Sequence, residues 1–181
     1  WAASRNSESA KMASDVILFS SITFPLISYL SAKSRNNEMD IAIMGMETFL
    51  INYGITNIFK GSFERIRPLA YNDAFPFDSK LNIEVKHSFI SGHTSNTAAM
   101  SFFIGKVLSD FYPDMKHKEL IWIPAAAIPA SIGYLRVIAG KHFPTDVISG
   151  YIVGALVGYI IPTLHKRDDL NIGMSIDGGF S

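Results

Sequence analysis

The sequence predicts an all-α fold, a helical bundle of five main helices with its chemistry at one end. Three observations lead there. Five apolar stretches, 16–32, 41–59, 94–112, 120–135 and 147–164, have helical length, and their β-branched residues do not alternate as in a half-buried strand. Polar breaks rich in turn-forming residues separate them. If successive helices run antiparallel, Lys60, His93, Arg136 and Asp146 fall at one end, and the breaks 33–40, 113–119 and 165–169 at the other.

Residues 1–14 are small and polar, and Asp15 is placed to cap the first apolar helix, which Pro25 would kink. The second helix stops at Lys60-Gly61. Residues 60–93 form the longest connection, with Pro68, Asn72, Asp73, Pro76 and Asp78 marking turns. A loop of this length in a compact domain is usually functional or disordered. The third helix starts just after Ser91-Gly92-His93 and closes at Tyr112-Pro113-Asp114. The fourth, 120–135, contains Pro124 and Pro129, more than a soluble helix normally tolerates. After the loop 136–146, Pro144 suits the first turn of the last helix. Gly150, Gly154 and Gly158 recur there every four residues, a small-residue stripe that permits close helix contact. His165-Lys166-Arg167 ends that helix, and a Gly-rich tail to Ser181 is expected to be loosely ordered.

At 181 residues the chain reads as a single domain, 1–181, long enough to close a sizeable core. Sixteen basic and sixteen acidic residues balance, so no basic surplus points to nucleic acid. The absence of cysteine excludes a disulfide framework and a thiolate metal site. Val147–Leu164, with 18 uncharged residues, could just span a bilayer, whereas 16–32 and 120–135, with 17 and 16, are marginal. Glu47, Lys106 and Asp110 would be costly in lipid unless they faced a protein interior. The balance favours membrane helices, with a soluble helical protein as the alternative. Because the chain begins at Trp1, either a leader has been removed or an upstream segment is absent.

The chemistry lies in three stretches. In Arg136-Val-Ile-Ala-Gly-Lys-His142-Phe-Pro-Thr-Asp146, a His stands four residues before an Asp, the spacing at which a carboxylate can orient an imidazole. Such a His can serve as nucleophile or as base. In Lys60-Gly-Ser-Phe-Glu-Arg-Ile-Arg67-Pro68, a point charge and a guanidinium fork could hold a phosphate, or could simply end a helix. In Ser91-Gly92-His93-Thr94, a hydroxyl, an approachable backbone and a helix N-terminus suit an oxyanion, or a capping turn. Lys141 is a further candidate phosphate ligand. His87 reads as a loop residue, and His117 and His165 as solvated side chains of the opposite end.

Together, in this order and spacing, the three stretches resemble the signature of the type 2 phosphatidic acid phosphatase superfamily, which also holds bacterial non-specific acid phosphatases and vanadium-dependent haloperoxidases. The pattern is Lys, six residues, Arg-Pro; Pro-Ser-Gly-His; and Ser-Arg, five residues, His, three residues, Asp. Ile90 and Leu135 depart from it, where the family has Pro and Ser. The resemblance covers about residues 40–165 of the single domain. It implies that His142 attacks phosphorus to form a phosphohistidine, that Asp146 orients His142, and that His93 protonates the leaving oxygen. Lys60, Arg67, Ser91, Gly92 and Arg136 would bind the phosphate. It implies no metal and no other cofactor.

The expected function is a metal-independent phosphatase acting on a lipid phosphate or pyrophosphate, with a phosphorylated lipid or other phosphomonoester as substrate and a membrane as partner. A soluble periplasmic acid phosphatase with the same residues is the alternative, followed by a vanadate-dependent haloperoxidase. A metal hydrolase using His93, His142 and Asp146 is opposed by the adjacent Lys and Arg charges, and intact motifs argue against a mere membrane scaffold. Charge bias between the two ends is nearly neutral, so orientation follows the resemblance: a bacterial-type inner membrane with the site facing the periplasm. In that case a sixth helix would precede Trp1.

Overall fold

The computed structural model describes residues 6–22, 38–74, 80 and 82–176, with side chains for 6–20, 39–74, 80 and 82–165. The Pro25 kink, most of the 33–40 break, the turn markers Pro76 and Asp78, and the end of the tail lie outside these residues. Among them five α-helices occur and no strand: α1 (Glu8–Ile22), α2 (Glu38–Phe63), α3 (Gly92–Phe111), α4 (Trp122–Ile138) and α5 (Pro144–Ile176). Three 3₁₀ turns, Pro68–Tyr71, Ile83–Lys86 and Lys118–Ile121, punctuate the loops. The all-α expectation therefore holds.

The boundaries differ from expectation at four helices. α2 runs on to Phe63 and α4 to Ile138, so the connections expected to start at 60 and 136 start at 64 and 139, and Lys60 and Arg136 are helical. α1 and α5 differ more. α1 begins earlier, because the Ser7 hydroxyl accepts from Ala10 N–H at 3.2 Å and Glu8 sits in the positive first turn. Asp15 is therefore a mid-helix residue and not a cap. α5 continues past Arg167, since residues 163–172 contain neither Gly nor Pro to stop it. In α4, Pro124 falls in the first turn, where its missing N–H costs no helical bond, and Pro129 lies in the interior.

α3 is the hub. It packs most extensively on α5, then on α4, α2 and α1. The glycine stripe of α5 makes the closest of these contacts possible. A Cβ at Gly150 would stand 2.7 Å from the Ser91 carbonyl oxygen, and Cβ atoms at Gly154 and Gly158 would collide with the carbonyls of Ser95 and Ala99. Gly is thus required by backbone approach at successive turns of α3.

The α2–α3 seam is polar inside. Asn52 Nδ2 donates to Asn96 Oδ1 at 2.6 Å, Ser95 Oγ donates to Asn52 Oδ1 at 2.9 Å, and Thr56 Oγ1 donates to Ser95 Oγ at 3.4 Å. Asn52, Thr56 and Ser95 are all buried. Outside, large apolar side chains face away from the bundle at helical spacing: Met39, Ile43, Met46 and Leu50 on α2, and Ile148, Ile152, Leu156 and Tyr159 on α5. The costly charges find partners. Glu47 accepts from His165 Nε2 at 2.6 Å, so His165 is a hydrogen-bonded, half-exposed side chain rather than a freely solvated one, and Lys106 pairs with Asp110. His117, by contrast, is exposed and pairs only loosely with Glu119 at 3.3 Å.

Candidate active site

Five elements deliver the expected residues to one end. Lys60 lies in the last turn of α2, Arg67 precedes the first 3₁₀ turn, and Ser91 immediately precedes α3, whose first two residues are Gly92 and His93. Arg136 lies in the last turn of α4, His142 in the loop after it, and Asp146 in the first turn of α5. The loops are fastened through backbone bonds: Arg67 N–H to Val85 carbonyl (2.8 Å), Ser88 N–H to Arg65 carbonyl (2.9 Å), Leu69 N–H to Gly140 carbonyl (3.0 Å) and Ser91 N–H to Asp146 carbonyl (3.0 Å). Gly140 meets its turn with φ 66°, a conformation that favours glycine.

His142 is fully buried, and its Nδ1 lies 2.7 Å from the Ser88 carbonyl oxygen. A carbonyl only accepts, so Nδ1 carries the proton and the Nε2 lone pair is left available. Asp146 stands farther off, 3.9 Å from the same Nδ1. Its Oδ2 accepts from Ser88 Oγ at 2.6 Å and from Phe143 N–H at 2.8 Å, and its Oδ1 from Arg65 Nη1 at 2.5 Å. The carboxylate therefore pins the Ser88 segment that holds the imidazole, and acts on the ring charge across a longer gap than a direct His–Asp hydrogen bond. Burial, then the charges of Arg136 and Arg67, push the imidazole well below its ordinary pKa, and the Ser88 bond opposes them only partly.

Around this ring cations are concentrated. Lys60 Nζ lies 3.0 Å from where a Cβ on Gly92 would stand, so a side chain there would press on the ammonium. Burial and the Arg67 charge lower the Lys141 ammonium below its usual range, and burial lowers Arg67. Among the described residues, the buried Nε atoms of Arg67 and Arg136 have no hydrogen-bond partner. Two unpaired guanidinium N–H groups and mutually opposed cations form a site suited to a multiply charged oxyanion. Ser91 Oγ sits 3.0 Å from Thr94 Oγ1 and is buried at the helix start.

His93 Nε2 lies 2.8 Å from Asp15 Oδ1, and the same oxygen lies 3.2 Å from Arg136 Nη1. Arg136 Nη1 also donates to Ser14 Oγ at 3.1 Å. Burial, then the Arg136 charge, lowers the His93 pKa to about 4 against the opposing bond and charge of Asp15.

Ser14, Asp15, Arg65 and Ser88 were not among the residues expected from the sequence. A signal existed for Asp15: the antiparallel alternation that brings Lys60 to this end also brings the start of the first helix there. Arg65 could have been noticed as the second guanidinium of the Lys60–Pro68 stretch. Ser88 contributes chiefly its backbone carbonyl, which no residue pattern reveals. Nothing in the described structure ties His87 to the site.

The PAP2 superfamily model matches residues 43–169. Phosphatidylglycerophosphatase B of Bacillus subtilis (strain 168) is 31% identical over 155 residues, covering 82% of this chain and 70% of that protein. A lipid A 4'-phosphatase of Porphyromonas gingivalis is 30% identical over 143 residues, covering 78% of this chain and 57% of its own length. The fold also matches the crystal structure of a transmembrane PAP2-type phosphatidylglycerolphosphate phosphatase from Bacillus subtilis, with TM-score 0.57 and 24% identity over 89% of this chain and 88% of that one. With its three motifs gathered around one buried histidine, the chain belongs to the PAP2 superfamily.

Proposed function

We propose that this phosphoric monoester hydrolase removes phosphate from a phosphorylated lipid, as a monoester or a pyrophosphate, at a membrane surface and through a phosphohistidine. The observation that carries this reading is the buried His142, its Nδ1–H held by the Ser88 carbonyl, beside Arg67 and Arg136 with their unpaired buried N–H groups. His142 Nε2 attacks phosphorus as the P–O bond to the leaving group breaks. His93 gives its proton to the leaving oxygen and then takes one from the water that cleaves the phosphohistidine. Lys60, Arg67, Ser91, Gly92 and Arg136 hold the phosphate oxygens and the charge of the transition state. Asp146 stabilises the ring charge and braces Ser88. Cations and backbone donors supply the electrostatics, so the reaction so drawn requires no metal.

The lipid part of the reading rests on the outside of the bundle. Helices Lys118–Ile138 and Pro144–His165 are 21 and 22 residues long and apolar enough to cross a bilayer. Only 33% and 28% of their apolar windows are buried, which is the reverse of a soluble core helix. An apolar exterior around an Asn/Ser/Thr seam is the polarity expected in lipid. Both relatives carry names of phosphatases that act on phosphorylated lipids.

The test is phosphate release from lipid monophosphates, lipid pyrophosphates and soluble phosphomonoesters, with His142→Ala as control. Wild type is expected to prefer the lipids, and the variant to lose at least about 10³-fold in turnover. Retained activity in His142→Ala would sink the nucleophile assignment.

A further inference from the structure

α1 brings a carboxylate into the site that neither the three motifs nor the proposed chemistry uses. A single oxygen, Asp15 Oδ1, lies within hydrogen-bond distance of both His93 Nε2 (2.8 Å) and Arg136 Nη1 (3.2 Å). Its neighbour Ser14 is fully buried and accepts from the same guanidinium nitrogen, so two successive residues of α1 engage Arg136. α1 packs on α3 and α4, the helices that carry His93 and Arg136. This is a built contact between three helices.

We propose that Asp15 is the positioning residue of His93, so that α1 completes the active site and each of the two histidines has a carboxylate beside it. The inference rests on the phosphatase reading and on His93 as its acid. A neutral imidazole bonded to Asp15 through Nε2–H is fixed in orientation. The imidazolium carries a second proton, on Nδ1, while Nε2–H remains on the carboxylate. That second proton passes to the leaving oxygen as the P–O bond breaks, and the attacking water returns a proton to the same nitrogen.

The need for a carboxylate follows from the surroundings of His93. Arg136 on α4 and Lys60 on α2 both disfavour its charged form, as does burial, and among the charged groups acting on it Asp15 is the counterweight. Without that carboxylate the acid form would be scarcer still. Asp15 also holds the Arg136 guanidinium through Nη1 at 3.2 Å.

The experiment uses the full chain in detergent micelles and two substrates of different leaving-group demand. An alkyl phosphate monoester, such as a short-chain diacylglycerol phosphate, needs its leaving oxygen protonated, whereas p-nitrophenyl phosphate does not. Asp15→Asn is nearly isosteric and removes only the charge. It is expected to lower kcat for the alkyl phosphate by roughly 10–100-fold and for p-nitrophenyl phosphate by less than about fivefold, as loss of general-acid assistance requires. The alkaline limb of its pH profile should move to lower pH, and Asp15→Glu should restore most of the alkyl activity.

An equal loss on both substrates with an unmoved pH profile would make Asp15 merely structural and overturn the proposal. So would unchanged activity in Asp15→Asn. Increased activity, or tighter inhibition by inorganic phosphate, would show that the carboxylate competes for the phosphate site, and would overturn it too. Wild-type protein inert towards both substrates would instead remove the phosphatase reading itself.

Discussion

At the residue scale the site is defined by what holds each histidine. His142 is locked by a carbonyl and surrounded by cations that disfavour its protonation. His93 is joined to a carboxylate but is still held at about 4, because burial and Arg136 outweigh Asp15. The proposed chemistry needs His142 neutral and His93 protonated. The sign follows directly: lowering pH populates the acid form of His93, and His142 stays neutral well below its ordinary pKa. We therefore predict that kcat/KM, corrected for the ionisation of the substrate phosphate, falls as pH rises above the His93 value in the free enzyme. Bound phosphate dianion favours the imidazolium, so the alkaline limb of kcat should lie at higher pH than that of kcat/KM. Profiles of both constants between pH 4 and 8 check this, and flat ones would contradict the assigned roles.

Among the elements, the α3–α5 contact carries the greatest geometric demand. Successive glycines of α5 face carbonyls of α3, and Ser91 and Asp146, joined by a backbone bond, sit at the top of that contact. Widening the pair would therefore disturb both the stability and the spacing of the proposed phosphate ligands. Gly154→Leu is predicted to destabilise the protein by about 1–3 kcal/mol or more, the cost of overpacking, and to lower activity in what still folds. Thermal unfolding in detergent reads the first effect. A melting temperature equal to that of wild type would mean that the helices separate freely and that the stripe is unimportant.

For the whole molecule the decisive feature is an apolar exterior around an interior that joins an apolar core at Ile41, Met100, Phe103 and Val107 to a polar seam. Buried Asn52, Thr56 and Ser95 bond across the α2–α3 seam, while Ile148, Ile152 and Leu156 face outward on α5. Such a bundle is expected to sediment with membranes, resist extraction by salt or alkaline carbonate, and require detergent for release. Recovery in the soluble fraction would point instead to the soluble phosphatase. The chain has no cysteine, so a single Asp73→Cys in the exposed loop at the site end reports orientation cleanly. A site facing the periplasm predicts labelling of that cysteine by a membrane-impermeant maleimide in intact cells.

Much of this was legible along the chain. Helical periodicity, helix alternation and the three spaced motifs were enough to place Lys60, Arg67, Ser91, Gly92, His93, Arg136, His142 and Asp146 at one end, because alternation of antiparallel helices is a property of sequence order. The α5 glycine stripe was legible for the same reason, since four-residue spacing marks one face of a helix. The helix starts were less so, as Asp15 shows: a residue able to cap can also sit mid-helix when an earlier serine caps first. What only the tertiary structure decided is who holds whom. The Ser88 carbonyl on His142, Arg65 on Asp146, and Asp15 shared between His93 and Arg136 join residues from 54 to 121 positions apart, one of them through a backbone atom. Local residue patterns carry no record of such contacts, because they depend on how whole helices pack and not on the side chains beside each motif.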